Sequence, residues 1–240
     1  MSLYSSTILA DSPSAWWRLG ELLGTSAADS SGNSRTATHS GSVTPGQPGA
    51  TLGDNNAAAL YAGGYTQIGD PAALRLFSQI TLEAWIKTTQ PADASNKPIL
   101  TRWLSAGSGL SWYFGKIGAN LSFYASLAHN ASAAFTLVND GAWHHVAAVA
   151  EPLPGGLLRI YVDGTERANS IWTATQTGTA DWRIAGNNDS PTELWAGNLD
   201  EVAIYSAPLP ASRVRAHYNA GIRYGIAPSP VGNSPFIRRR

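Results

Sequence analysis

The sequence predicts an all-β protein: an antiparallel β-sandwich of the jelly-roll type, with one short C-terminal helix and an extended C-terminal arm. Three observations support this fold class. Apolar and polar residues alternate with a period of two in many short runs, and turn residues separate these runs at fairly regular intervals. The polar surface is built from 25 Ser, 18 Thr and 24 Gly, with only 3 Lys. Helical surfaces usually rely on Glu and Lys, so this composition favours strands.

The clearest strand covers residues 80–88. Ile80, Leu82, Ala84 and Ile86 alternate there with more polar positions, which predicts a strand with one face buried. Similar runs predict further strands at residues 16–19, 57–61, 98–104, 110–114, 121–124, 143–150, 157–162, 182–185 and 199–205. Asp163-Gly164 predicts a two-residue hairpin turn, because glycine tolerates the positive φ of a type I′ turn. About a dozen short strands at this spacing indicate a sandwich or jelly roll.

A single helix is predicted near the C-terminus, over residues 209–221. Pro210 suits its first turn, while Val214, His217 and Tyr218 share one face. Gly221 suits the residue that ends the helix. Residues 25–49 are rich in turn formers and are predicted to be loop-rich.

The composition excludes several classes of protein. With 240 residues, 43% of them hydrophobic, the chain can bury a large core without cross-links. The absence of cysteine rules out disulfides, thiolate metal sites and a cysteine nucleophile. No apolar run reaches membrane-spanning length, so no membrane insertion is expected. The first residues show no basic segment followed by an apolar one, so no signal peptide is predicted.

Charge is segregated along the chain. Residues 1–201 hold 10 basic and 16 acidic residues, a net charge of −6, whereas residues 202–240 hold 6 Arg and no acid, a net charge of +6. We therefore predict a jelly-roll domain over residues 1–222 and a Pro/Gly/Arg-rich assembly arm over residues 223–240. The arm would dock on a neighbouring subunit with an acidic surface, such as another copy in a homo-oligomer. Its candidate contact residues are Tyr224, Phe236, Arg238, Arg239 and Arg240. Nucleic acid is the less favoured partner, because only three adjacent arginines form the tip.

Several blocks in this order resemble a laminin-G-like, concanavalin A-like jelly-roll domain. They are Trp16-Trp17-Arg18-Leu19-Gly20-Glu21, Asp29-Ser30-Ser31-Gly32-Asn33, Thr81-Leu82-Glu83-Ala84-Trp85-Ile86, Trp143-His144-His145-Val146-Ala147, Ile160-Tyr161-Val162-Asp163-Gly164, the 197–205 strand and His217-Tyr218-Asn219-Ala220-Gly221. The resemblance covers about residues 13–221 and implies the fold. It leaves function open, because this fold hosts lectins, receptor modules, glycan hydrolases and structural proteins.

The opening segment adds a second resemblance. Tyr4-Ser5, Ile8-Leu9-Ala10-Asp11-Ser12-Pro13 and the following Trp17-Arg18-Leu19-Gly20-Glu21 are similar to the start of bacteriophage tail and other virion proteins that carry this domain. The resemblance implies a structural protein of the tail or capsid, made in the host cytoplasm and located in the virion. Its partners would be other virion subunits.

Catalysis is not predicted. Glucan-cutting members of the fold carry a Glu-x-Asp-x-(x)-Glu strand, and no such motif is present. Asp200 and Glu201 are adjacent, which predicts that they face opposite sides of a strand. His144 and His145 are adjacent on another strand, and the simpler interpretation of the inward one is a structural histidine.

Calcium is the best-supported cofactor hypothesis, and its role would be structural. Asp29 and Asn33 supply a carboxylate and an amide oxygen in one short turn, and hard oxygen ligands suit Ca²⁺. The family resemblance adds Asp200 and a backbone carbonyl near Gly64. The alternative is that Asp29 and Asn33 form Asx turns and that Asp200 caps a loop.

Aromatic residues suggest a glycan partner. The chain has nine Trp and nine Tyr, and four Trp fall in the family blocks as expected core residues: Trp17, Trp85, Trp143 and Trp195. Outside those blocks, beside Gly/Ser/Asn/Thr-rich segments, lie the candidates for sugar stacking: Trp103, Trp112, Tyr113 and Trp172. Ordinary packing is the alternative for each. The favoured function is a non-catalytic virion structural protein, the alternative is an adhesin for host-surface carbohydrate, and a glycan hydrolase is disfavoured.

Overall fold

The structure is a computed structural model that describes residues 1–76, 78–103, 112–173 and 180–223. The elements in chain order are α1 (Leu3–Leu9), β1 (Ala15–Trp17), β2 (Ser26–Ala27), β3 (Ala37–Pro48), β4 (Ala57–Gly69), β5 (Ile80–Lys87), β6 (Lys97–Thr101), β7 (Tyr113–Ile117), β8 (Asn120–Ser126), β9 (His129–Ala134), β10 (Trp143–Ala150), β11 (Leu157–Val162), β12 (Thr165–Ile171), β13 (Trp182–Ile184), β14 (Ala196–Tyr205) and α2 (Ala211–Gly221). Short 3₁₀ turns cover Ala72–Leu74 and Phe135–Leu137. The predicted all-β fold class is confirmed.

All strand pairs are antiparallel, and hydrogen bonds join the strands in the order β12-β11-β10-β5-β14-β4-β13-β6-β7-β8-β9. β1 pairs with β14, and β3 joins β2 to β4. The two ends of this order meet, because β9 packs against β11 and β12. The sheet therefore closes over itself as a sandwich, and we call β1, β5, β10, β11, β12 and β14 its helix-covered layer.

Two apolar clusters hold the molecule together. The larger cluster fills the space between the layers and includes Leu82, Ile86 and Trp17. The smaller one lies on the outer face of the helix-covered layer, where Trp85 packs with Tyr4 of α1 and Val214 of α2. The helices thus bury a sheet face that would otherwise lie in solvent.

This second cluster corrects the prediction that residues 80–88 form a half-buried strand. Ile80 and Leu82 face the inner core as expected. Thr81, Glu83 and Trp85, on the opposite face, are buried as well. The alternation in β5 is present, but its second face is covered by helices instead of water.

Helix α1 was not predicted, because its seven residues are too few to show a helical period. Ser2 caps it: the Ser2 hydroxyl accepts the Ser5 N–H at 3.0 Å. Tyr4 and Ile8 are buried on the face towards the sheet. Burial of these two side chains, with the cap, stabilises a helix that would be too short to persist alone.

The predicted C-terminal helix is confirmed as α2, with a difference at its end. Gly221 is the last helical residue and Ile222 follows as the cap, whereas the sequence placed Gly221 at the stop. A Cβ at Gly221 would lie 2.3 Å from Cζ2 of Trp85. The glycine is required here for close packing against the Trp85 ring.

The N-terminal third contains more strand than predicted. The sequence predicts a loop-rich segment over residues 25–49, yet β3 runs from Ala37 to Pro48 along β4. Gly41 and Gly46, both with φ +73°, lie where the register with β4 shifts. Backbone pairing defines this strand, so side-chain alternation did not reveal it.

The hairpin prediction is confirmed, with Asp163 and Gly164 at φ +52° and +70° between β11 and β12. The arm residues Tyr224, Phe236, Arg238, Arg239 and Arg240 lie outside the described residues. Within the described part of the chain, no helix is long and apolar enough to cross a membrane.

Candidate functional site

A cavity of about 320 Å³ opens at the β7–β8 end of the sheet. We call it the aromatic pocket. Its walls come from the ends of β6, β7 and β8, the β8–β9 turn and the loop before β14: Asn96, Trp103, Tyr113, Ile117, Tyr124, Leu127, Asn187, Asp189, Ser190 and Glu193. Its volume is at the lower end of the range for ligand sites, which suits one or two sugar rings.

Three aromatic rings form one wall. Tyr113 of β7 lies directly opposite Tyr124 of β8, so both side chains emerge on the same face. Trp103 follows β6, and its ring lies edge-on to both tyrosines, with centroid distances of 6.1 Å to Tyr113 and 6.3 Å to Tyr124. Tyr124 is partly exposed, whereas Trp103 is 7% and Tyr113 is 3% exposed.

The facing wall is polar, and Glu193 organises it. The Glu193 carboxylate accepts Asn187 Nδ2 at 2.7 Å and Asn96 Nδ2 at 3.3 Å. The backbone N–H of Asn187 also donates to the Glu193 carbonyl. Asp189 and Ser190 complete this wall on the loop between Asn187 and Glu193. The loop therefore presents two carboxylates beside three aromatic rings.

The structure separates the four predicted stacking residues into two groups. Trp103 and Tyr113 line the aromatic pocket. Trp112 and Trp172 are fully buried, and their indole N–H groups donate to the carbonyls of Leu76 and Glu151. The interpretation as exposed stacking residues is wrong for these two, because their side chains fill the core between the layers.

Sequence reasoning missed the other pocket residues. Tyr124 lay in a predicted strand but was not singled out. Its signal was the pairing with Tyr113, which the short β7–β8 hairpin sets. Glu193 and Asn187 had no such signal, because the fold of a long loop brings them to the aromatic wall.

A second site of interest is a buried carboxylate pair. Asp200 and Glu201 both lie within reach of one amide nitrogen, Asn56 Nδ2, at 3.1 Å and 3.2 Å. The prediction that they face opposite sides of the strand is wrong. A bulge interrupts β14 after Asp200, and Glu201 adopts φ +53°, which turns both side chains to the same side.

Protein groups enclose this carboxylate pair. Asp200 accepts the backbone N–H of Ala50, and Glu201 accepts Trp16 Nε1 and Arg18 Nη2. Burial raises the pKa of Glu201 to about 7, against the lowering effect of Arg18. Burial and the charge of Glu201 raise the pKa of Asp200 well above its usual value. Both side chains are fully buried, so a polysaccharide cannot reach them.

The residues proposed for calcium do not form one oxygen cage. The Asp29 carboxylate accepts three backbone N–H groups, from Trp16, Ser31 and Arg35. Partial burial acts to raise the pKa of Asp29, but the side-chain hydrogen bond of Ser31 and the three backbone bonds outweigh it and hold the pKa below its usual value. Asn33 turns its Nδ2 to the carbonyls of Pro13 and Ser14. The turn matches the Asx-turn alternative. N–H groups already occupy the lone pairs of the Asp29 oxygens that a cation would need.

The other two proposed ligands are far from each other. Leu199, next to Asp200, pairs with Ala59 of β4. Gly64 lies five residues further along β4, which corresponds to roughly 16 Å at about 3.3 Å per residue. Within the described ranges, no group of three or more His, Asp or Glu side chains could hold a metal ion. The residues present do not fit the calcium site that the resemblance implies.

The adjacent histidines lie on opposite faces of β10, as predicted. His145 is fully buried, with Nε2 3.2 Å from Glu83 Oε2. His144 is near the surface between Asp163 and Asp140, with nitrogen–oxygen distances of 2.8 Å and 3.0 Å. Hydrogen bonds to Asp163 and Asp140 raise the pKa of His144.

Comparisons with known proteins agree with this architecture. Domain 4 of AbnA, a GH43 extracellular arabinanase from Geobacillus stearothermophilus, solved with arabinotriose, aligns with a TM-score of 0.64 and 16% identity over 86% of this chain and 98% of that chain. The binding domain of Paraclostridial Mosquitocidal Protein 1 aligns with a TM-score of 0.64 and 12% identity, over 84% of this chain and 53% of the other. Trypanosoma rangeli sialidase aligns with a TM-score of 0.61 and 14% identity, over 86% and 32%.

These likenesses establish a shared fold. The chain spans about half of the toxin binding domain and about a third of the sialidase. No curated protein sequence matches the chain. A family model for the concanavalin A-like lectin/glucanases superfamily, Laminin_G_3, matches residues 60–215, which is more than half of the chain. The jelly roll with its closing strand and helix therefore belongs to the concanavalin A-like lectin/glucanases superfamily.

Proposed function

We propose that this protein is a non-catalytic carbohydrate-binding module and that the aromatic pocket is its binding site. The observation that carries the proposal is the pairing of Trp103, Tyr113 and Tyr124 on one wall with Asn187 and Glu193 on the other. Sugar rings have apolar C–H faces and polar edges, so they bind where aromatic rings and side-chain oxygens or amides lie together.

Support for a binding role over a catalytic one comes from the carboxylates. Glycosidases place two carboxyl groups on either side of the bond they cut. Asp200 and Glu201, the adjacent carboxylate pair, are buried and held by Arg18, Trp16 and Asn56. The pocket carboxylate of Glu193 is held by two asparagine amides. The two amides fix the Glu193 carboxylate in place, where it can accept hydrogen bonds from a ligand and orient it.

The test is a glycan-array screen followed by calorimetric titration of the best ligand. Tyr124→Ala removes the most exposed ring of the wall and should weaken binding about five- to tenfold, since stacking on such a ring contributes about 1–1.5 kcal/mol. Trp143→Ala is the matched control. Trp143 is a partly buried aromatic residue on β10 that does not line the pocket. Its loss should leave the affinity unchanged.

If no glycan on the array binds the wild-type protein, the proposal is refuted. Equal loss of affinity in both variants would also refute the assignment to this pocket. The melting temperature of each variant is measured alongside, so that loss of binding can be separated from loss of folding.

We propose further that the module is displayed on a bacteriophage particle. The support is the similarity of the opening segment, residues 4–21, to virion proteins, together with the net charge of +6 on residues 202–240. A chain ending at Arg223 should fold and bind its glycan normally but fail to enter particles. Normal incorporation of the shortened chain would contradict the role of residues 224–240 in assembly.

A further inference from the structure

The polar groups of the aromatic pocket are unevenly divided between donors and acceptors. Its two amide side chains, Asn96 and Asn187, both direct their N–H₂ groups to the Glu193 carboxylate. The Asn96 and Asn187 oxygens accept the backbone N–H groups of Gly118 and Asp189. What the polar wall offers a ligand is therefore mainly carboxylate oxygen, an acceptor.

The charge of the pocket is also one-sided. Among the described residues that line it, Asp189 and Glu193 are acidic and none is basic. Two cations outside the lining bind the backbone of the loop: Lys97 Nζ donates to the Thr192 carbonyl at 3.2 Å, and Arg183 Nη1 donates to the Asn187 carbonyl at 2.9 Å.

The aromatic wall, like the acidic side chains, favours a positively charged ligand. The ring of Trp103 lies at 86° and 87° to those of Tyr113 and Tyr124, so the rings form a corner with faces in two directions. The faces of aromatic rings carry negative electrostatic potential and attract ammonium groups. An ammonium group also supplies three donors to an acceptor-rich wall.

We propose that the sugar unit bound in the aromatic pocket carries a free amino group, and that acidic sugars are rejected. This inference rests on the proposed carbohydrate-binding function and specifies its ligand class. The ammonium group would lie between the Glu193 and Asp189 carboxylates and the aromatic corner. A sugar carboxylate in the same place would face two like charges and find no basic side chain among the described lining residues.

The test compares two oligosaccharides with the same β-1,4 backbone, tetraglucosamine and its fully N-acetylated form, by calorimetry at pH 6. The free amine should bind at least about tenfold more tightly at about 50 mM salt, and this preference should shrink at high salt, because the interaction is ionic. Glu193→Gln keeps the shape of the side chain and should abolish the preference. Asp189→Asn, at an exposed position, should reduce it.

The matched control is Glu151→Gln, which neutralises a partly exposed carboxylate outside the pocket and should keep the full preference. Equal affinity for the two tetrasaccharides, or tighter binding of a glucuronic-acid oligomer, would overturn the inference while leaving carbohydrate binding intact. Binding to no glycan would instead overturn the proposed function. Retention of the preference in both Glu193→Gln and Asp189→Asn would also overturn the inference.

Discussion

His217 of α2 lies against Glu83 of β5, with Nδ1 2.9 Å from the Glu83 Oε2 atom in a fully buried contact. The other ring nitrogen, Nε2, lies 2.7 Å from Asp11 Oδ2. Because both nitrogens face carboxylate oxygens, this environment favours the imidazolium form of the ring, in which both nitrogens are donors. This contact joins the C-terminal helix to the sheet and to the segment after α1.

Replacing His217 should therefore weaken the whole fold. His217→Ala leaves Glu83 buried with less of its compensating charge, and removal of one partner of a buried ion pair typically costs about 3–5 kcal/mol. We expect the free energy of unfolding, measured by urea titration, to fall by about this amount. Arg215→Ala, an exposed change on the same helix, should stay within about 0.5 kcal/mol of the wild type. Similar losses in the two variants would argue against a special role for the buried pair.

The same contact predicts a loss of stability at alkaline pH. Burial alone would lower the pKa of His217, but the charge of Glu83 and the hydrogen bonds to Glu83 and Asp11 outweigh it and raise the pKa. A raised pKa stabilises the fold fully below the unfolded value, about 6.5, and this contribution disappears as pH rises through the folded value. The difference in unfolding free energy between wild type and His217→Gln should shrink from pH 6 to pH 9. A constant difference would contradict the prediction.

The buried carboxylate pair, Asp200 and Glu201, should also lower the unfolding free energy as the pH rises, but over a lower pH range than His217. Glu201 has its pKa raised to about 7, and the pKa of Asp200 is raised as well, chiefly by burial. Both groups therefore favour folding below their unfolded values near 4, and the benefit is lost as pH rises towards the folded values. Asp200→Asn cannot ionise, so its unfolding free energy should fall less than that of the wild type between pH 5 and pH 8. Parallel pH profiles would disprove this.

The last helical residue provides a test of packing. Alanine normally favours a helix over glycine by about 1 kcal/mol. At Gly221 we expect the opposite, because a methyl group would lie 2.3 Å from Trp85 Cζ2, and such overpacking costs about 1–3 kcal/mol. Thermal unfolding of Gly221→Ala should show a lower melting temperature, whereas Ser212→Ala, on the exposed face of α2, should change it little. A stabilised Gly221→Ala protein would show that the Trp85 ring can move aside.

The family resemblance implies a calcium site, whereas the hydrogen-bond geometry argues against one, and a titration with Ca²⁺ tests the two directly. Asp29 and Asp200 already accept N–H donors, so we expect Ca²⁺ to leave the melting temperature of chelator-treated protein unchanged. A specific site filled to 100 times its dissociation constant would add about 2.7 kcal/mol. A rise of several degrees that Asp200→Asn removes would establish the site that the resemblance implies.

Local signals in the sequence account for much of the fold. The alternation in β5, the Asp163-Gly164 turn and the apolar face of α2 each depend on neighbours within a few residues, and all three are found in the structure. The strand β3 and the helix α1 depend on distant partners. β3 is defined by its pairing with β4, and α1 by the burial of Tyr4 and Ile8 against the helix-covered layer.

The candidate site was predictable only in part, for the same reason. Trp103 and Tyr113 could be selected because they fall outside the family blocks, but Trp112 and Trp172 met the same criterion and are core residues. Whether a Trp between turn residues faces the core or a cavity depends on the opposite layer of the sandwich. The sequence of a single strand does not indicate which residues of that layer pack against it.

The sequence by itself determined the all-β class, the positions of most of the core strands, the closing helix and the segregation of charge, since composition and periodicity encode these properties locally. Only the tertiary structure decided which residues meet. A bulge and a positive φ at Glu201 bring Asp200 and Glu201 to one side of β14. A loop from a distant part of the chain brings Glu193 to the same pocket as Trp103. Such meetings depend on backbone geometry and long-range packing, which no local pattern specifies.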